Sequence, residues 1–140
     1  MKITAEIKGR DFIQIELDDQ MKQSRVHAIV CSSFHRLLSE YRQKYGDEMI
    51  NWPQPQGIEH QDLLLKEIIL KLRNEWNFPY QEDEICHCRS VSTERVDQAI
   101  ISGAHTPEMV SRQTNASTSC GTCRTEIEKI IRFRLASEVK

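Results

Sequence analysis

Five cysteines are the residues of this sequence best suited to chemistry: Cys31, Cys86, Cys88, Cys120 and Cys123. Four of them form two close pairs, C-x-C and C-x-x-C, with 31 residues between the pairs. Thiolates two or three positions apart can grip one metal centre from one loop. The second pair sits at the start of a helical pattern, where unpaired backbone N–H groups and the helix dipole favour thiolate and anionic charge. A [2Fe–2S] cluster on four thiolates has a formal charge of about -2 when oxidised and suits such a place. Four soft donors suit tetrahedral zinc as well. Spacing alone does not separate the two metals, nor either of them from free reactive thiols.

The rest of the composition narrows the setting. A chain of 140 residues allows one domain or two small ones. Nineteen Lys and Arg against 21 Asp and Glu leave a formal charge of -2, unlike the basic balance of a nucleic-acid binder. With 39% hydrophobic and 29% charged residues the chain is neither disordered nor membrane-like in composition. No apolar run approaches the ~20 residues that cross a bilayer. The opening MKITAEIKGR alternates and lacks the apolar core of a signal peptide. The expectation is a cytoplasmic protein with neither nucleic acid nor membrane as partner. In a reducing compartment, clustered cysteines point to metal or redox chemistry rather than to disulfides.

The elements that must position these residues follow from periodicity. Ile3, Ala5 and Ile7 alternate, as do Ile13, Ile15 and Leu17, and then Val26, Ala28 and Val30. Gly9-Arg10 and Asp18-Asp19-Gln20 are turn-like, so the segment reads as a three-stranded antiparallel meander. After Cys31, Phe34, Leu37, Leu38, Tyr41 and Tyr45 take helical spacing, with Ser32 or Ser33 as cap and Gly46 as stop. NWPQPQG is a loop. A second helix is predicted over 61–76, with Leu65, Ile68, Ile69, Leu72 and Trp76 as one stripe packed on the sheet. Phe78-Pro79-Tyr80 and the acidic run Glu82-Asp83-Glu84 read as a linker. Beyond it, Ser92 caps a helix carrying Val96, Ala99 and Ile100. Thr106-Pro107 opens a second helix with Met109 and Val110, and a third starts near Cys120 with Ile127, Ile130, Ile131 and Leu135. The fold expected is α+β: a three-stranded antiparallel sheet with two packed helices over 1–80, an acidic linker over 81–84, and a small all-α domain over 85–140.

The segment from Cys86 to Ile131 resembles the BFD-like [2Fe–2S] domain, the type found in bacterioferritin-associated ferredoxin and at the centre of the iron–sulfur scaffold NifU. The shared features are C-x-C followed by a capped helix, Thr106 and Val110 in Thr-x-x-x-Val, and the C-G-x-C-x-x-x-I-E ending of Cys120, Gly121, Cys123, Ile127 and Glu128. The resemblance spans about 85–135. It implies a small helical domain in which Cys86, Cys88, Cys120 and Cys123 ligate one [2Fe–2S] cluster near the surface. Gly121 lets the backbone turn close to such a cluster, and N–H groups of that loop can donate to its sulfurs. With four cysteines completing the set, His87 is expected to face solvent, and His105 to be a loop residue. Lys129, Arg132 and Arg134 could guide an acidic partner, though a solvated helix face is the expected role.

The first unit has a fainter resemblance. FIQIELDDQMKQSRVHAIVCSSFHRLLSE is similar to the start of the IscU-type scaffold domain, with Cys31 matching its first cysteine. IEHQDLLLKEIILKLRNEW is similar to that family's last helix, whose His-Cys pair would be His60 and Gln61 here. The aspartate two positions past the first cysteine is Ser33, and no further cysteine lies between Cys31 and His60. One Cys and one His do not hold a cluster in the usual way. The unit therefore reads as a degenerate scaffold-like domain for docking or support, with Cys31 as a buried core thiol.

These resemblances imply a non-enzymatic [2Fe–2S] protein of iron–sulfur cluster assembly or its redox support. Cysteine desulfurase or iron–sulfur acceptor proteins would be its partners. The alternative is a ferredoxin-like electron carrier to a ferredoxin reductase or bacterioferritin, and a zinc-stabilised interaction module is a third. No flavin or nicotinamide fingerprint is visible, so a carrier would need an external donor. No G-x-S-x-G, phosphate loop or paired-carboxylate signature suggests an enzyme. The chain ends soon after the second unit, so the scaffold's third domain is expected to be absent and the cluster to serve redox or regulatory work.

Overall fold

The structure is a computed structural model that describes residues 1–86, 90–114 and 124–136, with Cys86 described in its backbone alone. It divides into two compact units, Met1–Trp76 and Asn77–Lys140.

The first unit opens with β1 (Lys2–Ile7), β2 (Asp11–Leu17) and β3 (Gln23–Ile29), antiparallel in the order β1-β2-β3. Gly9, at φ 77°, turns β1 into β2. The Asp18 carboxylate accepts the Gln20 and Lys22 N–H groups at 2.9 and 3.0 Å and shapes the next turn. The register pairs Ile3 with Ile15 and Ala5 with Ile13, so period two drives one face of β1 and β2 into the core. Asp11 shares that parity with Ile13, Ile15 and Leu17 and is buried with them. β3 does not repeat the burial. None of Val26, Ala28 or Val30 is buried and Ile29 is 76% exposed, because helical cover lies over β1 while β3 forms an edge.

Helix α1 (Ser32–Tyr45) buries Phe34 and Leu38 and stops at Gly46, φ 89°. A 3-10 turn at Met49–Asn51 follows, and buried Trp52 donates its indole N–H to Gly46 O at 2.8 Å. Helix α2 (His60–Leu72) begins with a capping box of Glu59 and Asp62. Gly57 makes room for this cap, since a Cβ there would collide with the Asp62 carboxylate. The single stripe expected of α2 is instead burial all round. All eight residues from Leu63 to Leu70 are buried, because the sheet, α1 and the 3-10 turn enclose the helix. The helix also stops four residues short of Trp76. Asn74 adopts φ 58° and Glu75 N–H returns to Leu70 O at 2.8 Å, a left-handed C-terminal closure.

The second unit adds a short hairpin, β4 (Glu84–Cys86) with β5 (Val91–Ser92), which periodicity did not announce. Ser92 Oγ then caps α3 (Thr93–Ile101) by accepting Arg95 N–H at 3.0 Å. Thr106 caps α4 (Pro107–Thr114) through Met109 N–H at 3.2 Å. The last helix is α5 (Arg124–Leu135). Ile85, Val91, Val96, Ile100, Val110, Ile127 and Ile130 are the centre of a separate core. Phe78 and Tyr80, read from sequence as linker residues, pack against that core, and Glu84 of the acidic run is already in β4.

One sequence expectation is corrected in α5. Arg134 does not belong to a solvated basic face. Its side chain is 3% exposed and forks onto Asp97 of α3, with Nε–Oδ1 at 2.8 Å and Nη2–Oδ2 at 2.6 Å. Lys129 and Arg132 are exposed as expected. Among the described residues no helix is long and apolar enough to cross a membrane.

Both tryptophans, Trp52 and Trp76, lie in the first unit, so their fluorescence reports its unfolding alone. Ile68→Ala should lower the urea midpoint seen by tryptophan at a cost of about 2–5 kcal/mol. Asp97→Ala should leave that transition in place and destabilise the second unit, followed by far-UV circular dichroism, by about 3–5 kcal/mol, because it removes the carboxylate onto which a buried guanidinium forks. A tryptophan transition unmoved by Ile68→Ala would contradict the all-round packing of α2.

Candidate metal centres

Cys86 ends β4, with its backbone paired to Val91 across the hairpin. Its side chain lies outside the described residues, as do Cys88, Cys120 and Cys123, together with His87 and Gly121. The structure does show the elements that flank them. Residues 87–89 are bracketed by β4 and β5, and residues 115–123 by the end of α4 and the first residue of α5.

Those flanks are tied to one another. Arg124, next in sequence to Cys123, donates from Nη2 to Glu108 Oε1 at 2.6 Å and from Nε to Glu128 Oε1 at 3.2 Å. The first contact joins the opening turn of α4 to that of α5, the helix that begins directly after the C-x-x-C pair. Glu108 is held below the usual glutamate range, first by its own backbone N–H at the start of α4 and then by the Arg124 hydrogen bond. Arg124 is pushed up in turn by Glu108 and then Glu128. The residues that carried the family resemblance have structural work nearby. Thr106 caps α4, Val110 and Ile127 are fully buried in the core, and Glu128 holds Arg124. His105 lies before the α4 cap, as expected of a loop residue. Its Nε2 is buried and without a hydrogen bond among the described residues.

The donor set fits a four-thiolate centre in number and chemistry. Two cysteine pairs supply the four soft ligands that a [2Fe–2S] cluster takes, and the second pair immediately precedes α5, whose N-terminal end favours negative charge.

A second constellation lies in the first unit. Cys31 is not the buried core thiol expected. It is half-buried, at the N-terminal cap of α1, where β3 has just ended. His60 is the first residue of α2. Cys31 Sγ and His60 Nε2 are 3.1 Å apart, so the structure brings together the two residues that the sequence singled out. It adds one that sequence reasoning missed, Asp11, the first residue of β2. Asp11 Oδ1 accepts the Cys31 N–H at 2.7 Å, and Oδ2 lies 3.0 Å from His60 Nε2. Ligand atoms of all three lie within 4.8 Å of one another. The available signal was a carboxylate at a core-parity position of an otherwise apolar strand face. Gln61, the other half of the expected pair, is half-buried, and its Oε1 makes no hydrogen bond among the described residues.

Comparison with known proteins bears on the second unit. Residues 84–132, about a third of the chain, match the family model of the BFD-like [2Fe–2S] binding domain. The matched segment contains both cysteine pairs, and its cofactor is a [2Fe–2S] cluster. No curated protein and no solved structure matches the chain.

Glu108 should titrate, by its side-chain carbon NMR signal, below the usual glutamate range. Arg124→Ala should raise that midpoint without fully restoring it, since the backbone hydrogen bond remains. A midpoint unmoved by the substitution would remove the link between the starts of α4 and α5.

Proposed function

We propose that this is a non-enzymatic iron–sulfur protein whose second unit holds one [2Fe–2S] cluster on Cys86, Cys88, Cys120 and Cys123. Its role is in iron–sulfur cluster assembly or the redox support of that process. The observation that carries the reading is the family match over 84–132, which spans both pairs in one segment. When bound, the cluster supplies one-electron redox chemistry. The chain's own residues supply the frame. The β4–β5 hairpin holds the backbone at Cys86, and the Glu108–Arg124 pair ties the start of α5, next to the C-x-x-C segment, to the start of α4.

The place in assembly rests on the first unit. Its order of three strands, cysteine-capped helix, loop and His-led helix is the order of the IscU-type resemblance. Cysteine desulfurase or iron–sulfur acceptor proteins are the partners this reading names, and the setting is cytoplasmic.

Anaerobic purification, followed by a visible spectrum and iron and sulfide assays, tests the cluster. The expected result is brown protein with about two irons and two sulfides per chain. Cys86→Ser, Cys88→Ser, Cys120→Ser and Cys123→Ser should each abolish or strongly weaken the visible bands, whereas Cys31→Ser should leave them intact. Loss of colour in the Cys31 variant would overturn the ligand assignment. Affinity capture separates the roles: a desulfurase or apo-acceptor supports assembly, while a reductase or bacterioferritin would replace it with electron delivery.

A further inference from the structure

The contacts among Asp11, Cys31 and His60 do not close as a hydrogen-bond network. His60 Nε2 faces two partners at once, Cys31 Sγ at 3.1 Å and Asp11 Oδ2 at 3.0 Å. One ring nitrogen carries at most one proton, and that proton can point at one of them. If the thiol instead donates to Nε2, the carboxylate faces a nitrogen lone pair. Whichever of the two contacts the proton serves, the other has no hydrogen in it, and as the side chains stand Asp11 Oδ2 makes no hydrogen bond among the described residues, on a side chain with 0% exposure. Leaving a buried acceptor in that state costs about 1–3 kcal/mol, and more when it is charged. A nucleophilic relay does not account for the arrangement either. In such a triad the acid and the nucleophile sit on opposite ring nitrogens, whereas here both sit on Nε2.

A cation removes the conflict, because each donor then uses its own lone pair toward a shared centre. We propose that Asp11, Cys31 and His60 form a mononuclear site for a zinc-class divalent cation, with a fourth position left to water or a small exogenous donor. One sulfur, one imidazole nitrogen and one carboxylate oxygen make a borderline donor set that suits zinc. Thiolate and carboxylate together balance a charge of two, which makes the burial of the Asp11 carboxylate beside half-buried Cys31 and His60 tolerable. The known Zn–S, Zn–N and Zn–O distances place tetrahedral ligand atoms about 3.3–3.6 Å apart. The observed 3.0 and 3.1 Å separations would open by only a few tenths of an ångström. The carboxylate is already oriented for the task, since the Cys31 N–H holds Oδ1 at 2.7 Å and leaves Oδ2 to the metal. Among these residues there is a single thiolate, so the site takes one ion and not a four-thiolate cluster. The inference rests on the first unit alone and stands apart from the cluster reading.

The test uses the full chain, loaded with zinc, desalted and measured by zinc X-ray absorption and metal analysis. The expected zinc shell has one sulfur at about 2.3 Å and three nitrogen or oxygen neighbours at about 2.0–2.2 Å. Cys31→Ser and Asp11→Asn should each weaken zinc retention at least tenfold, with tryptophan fluorescence showing that the first unit stays folded. Should Asp11→Asn unfold that unit, Cys31→Ser carries the test alone from its half-buried helix cap. Zinc found only in a four-sulfur shell, no zinc retained after desalting, or equal retention in Cys31→Ser would overturn the site. A four-sulfur shell would speak separately against the cluster reading, because it would place zinc on the paired cysteines.

Discussion

Strand β2 places a carboxylate where a hydrophobic residue would otherwise sit. Period two assigns Asp11, Ile13, Ile15 and Leu17 to the same buried face, and a carboxylate there must find partners or cost several kilocalories. Much of the first unit's arrangement answers that demand. The β2–β3 register, which pairs Phe12 with Ile29, brings the chain back beside Asp11 as β3 ends. The next helix then starts with Cys31, whose N–H meets Oδ1. Helix α2 starts with His60 against Oδ2. Three element beginnings thus meet at one polar point on the rim of an apolar core. The all-round burial of Leu63–Leu70 keeps α2 in place, and with it the imidazole.

The second unit solves a different problem. It is short, and its helices are α3 of nine residues, α4 of eight and α5 of twelve, too short to persist without packing and caps. Ser92 and Thr106 supply side-chain caps. The Asp97–Arg134 fork crosses from α3 to α5 beside the core of Ile100, Ile127 and Ile130. The fork's value lies in alignment more than in net stability, since the desolvation of a buried ion pair offsets most of its attraction. With α3, α4 and α5 fixed in this way, the cysteine-bearing segments 87–89 and 115–123 each run between defined ends.

Much of this was legible in the sequence, and the reasons divide by physics. The meander was readable because β1 and β2 bury one face each, and a half-buried strand writes its period plainly. The helices from α3 to α5 were readable from caps and spacing together. The β4–β5 hairpin was not, because strands of three and two residues are too short to show a period. The extent of α2 was overread to Trp76, because an apolar residue at helical spacing carries no information about the left-handed turn at Asn74. Arg134 looked like a surface charge because its partner lies 37 positions away. In the candidate sites, Cys31 and His60 were legible through resemblance and spacing. Asp11 was not, since attention to an aspartate near the cysteine in sequence pointed to position 33. The residue that meets Cys31 is 20 positions upstream, and only strand pairing makes them neighbours. The two cysteine pairs were legible by type and spacing, their metal only through the resemblance of the segment around them, and the family match over 84–132 agrees with the cofactor that resemblance implied.

Ligand chemistry then separates the two units. A [2Fe–2S] centre on four thiolates needs four cysteines, and the first unit has one. On the proposed ligand set, the iron–sulfur chemistry of the chain belongs to the paired cysteines of the second unit. The donors of the first unit are mixed: one soft, one intermediate and one hard. Such a set matches an ion that holds its oxidation state, and its work would be to fix the starts of β2, α1 and α2 while keeping one coordination position exchangeable. A thiolate that serves this ion is withdrawn from cluster chemistry. On this division the first unit resembles a scaffold in the order of its elements and differs from one in what its side chains can hold.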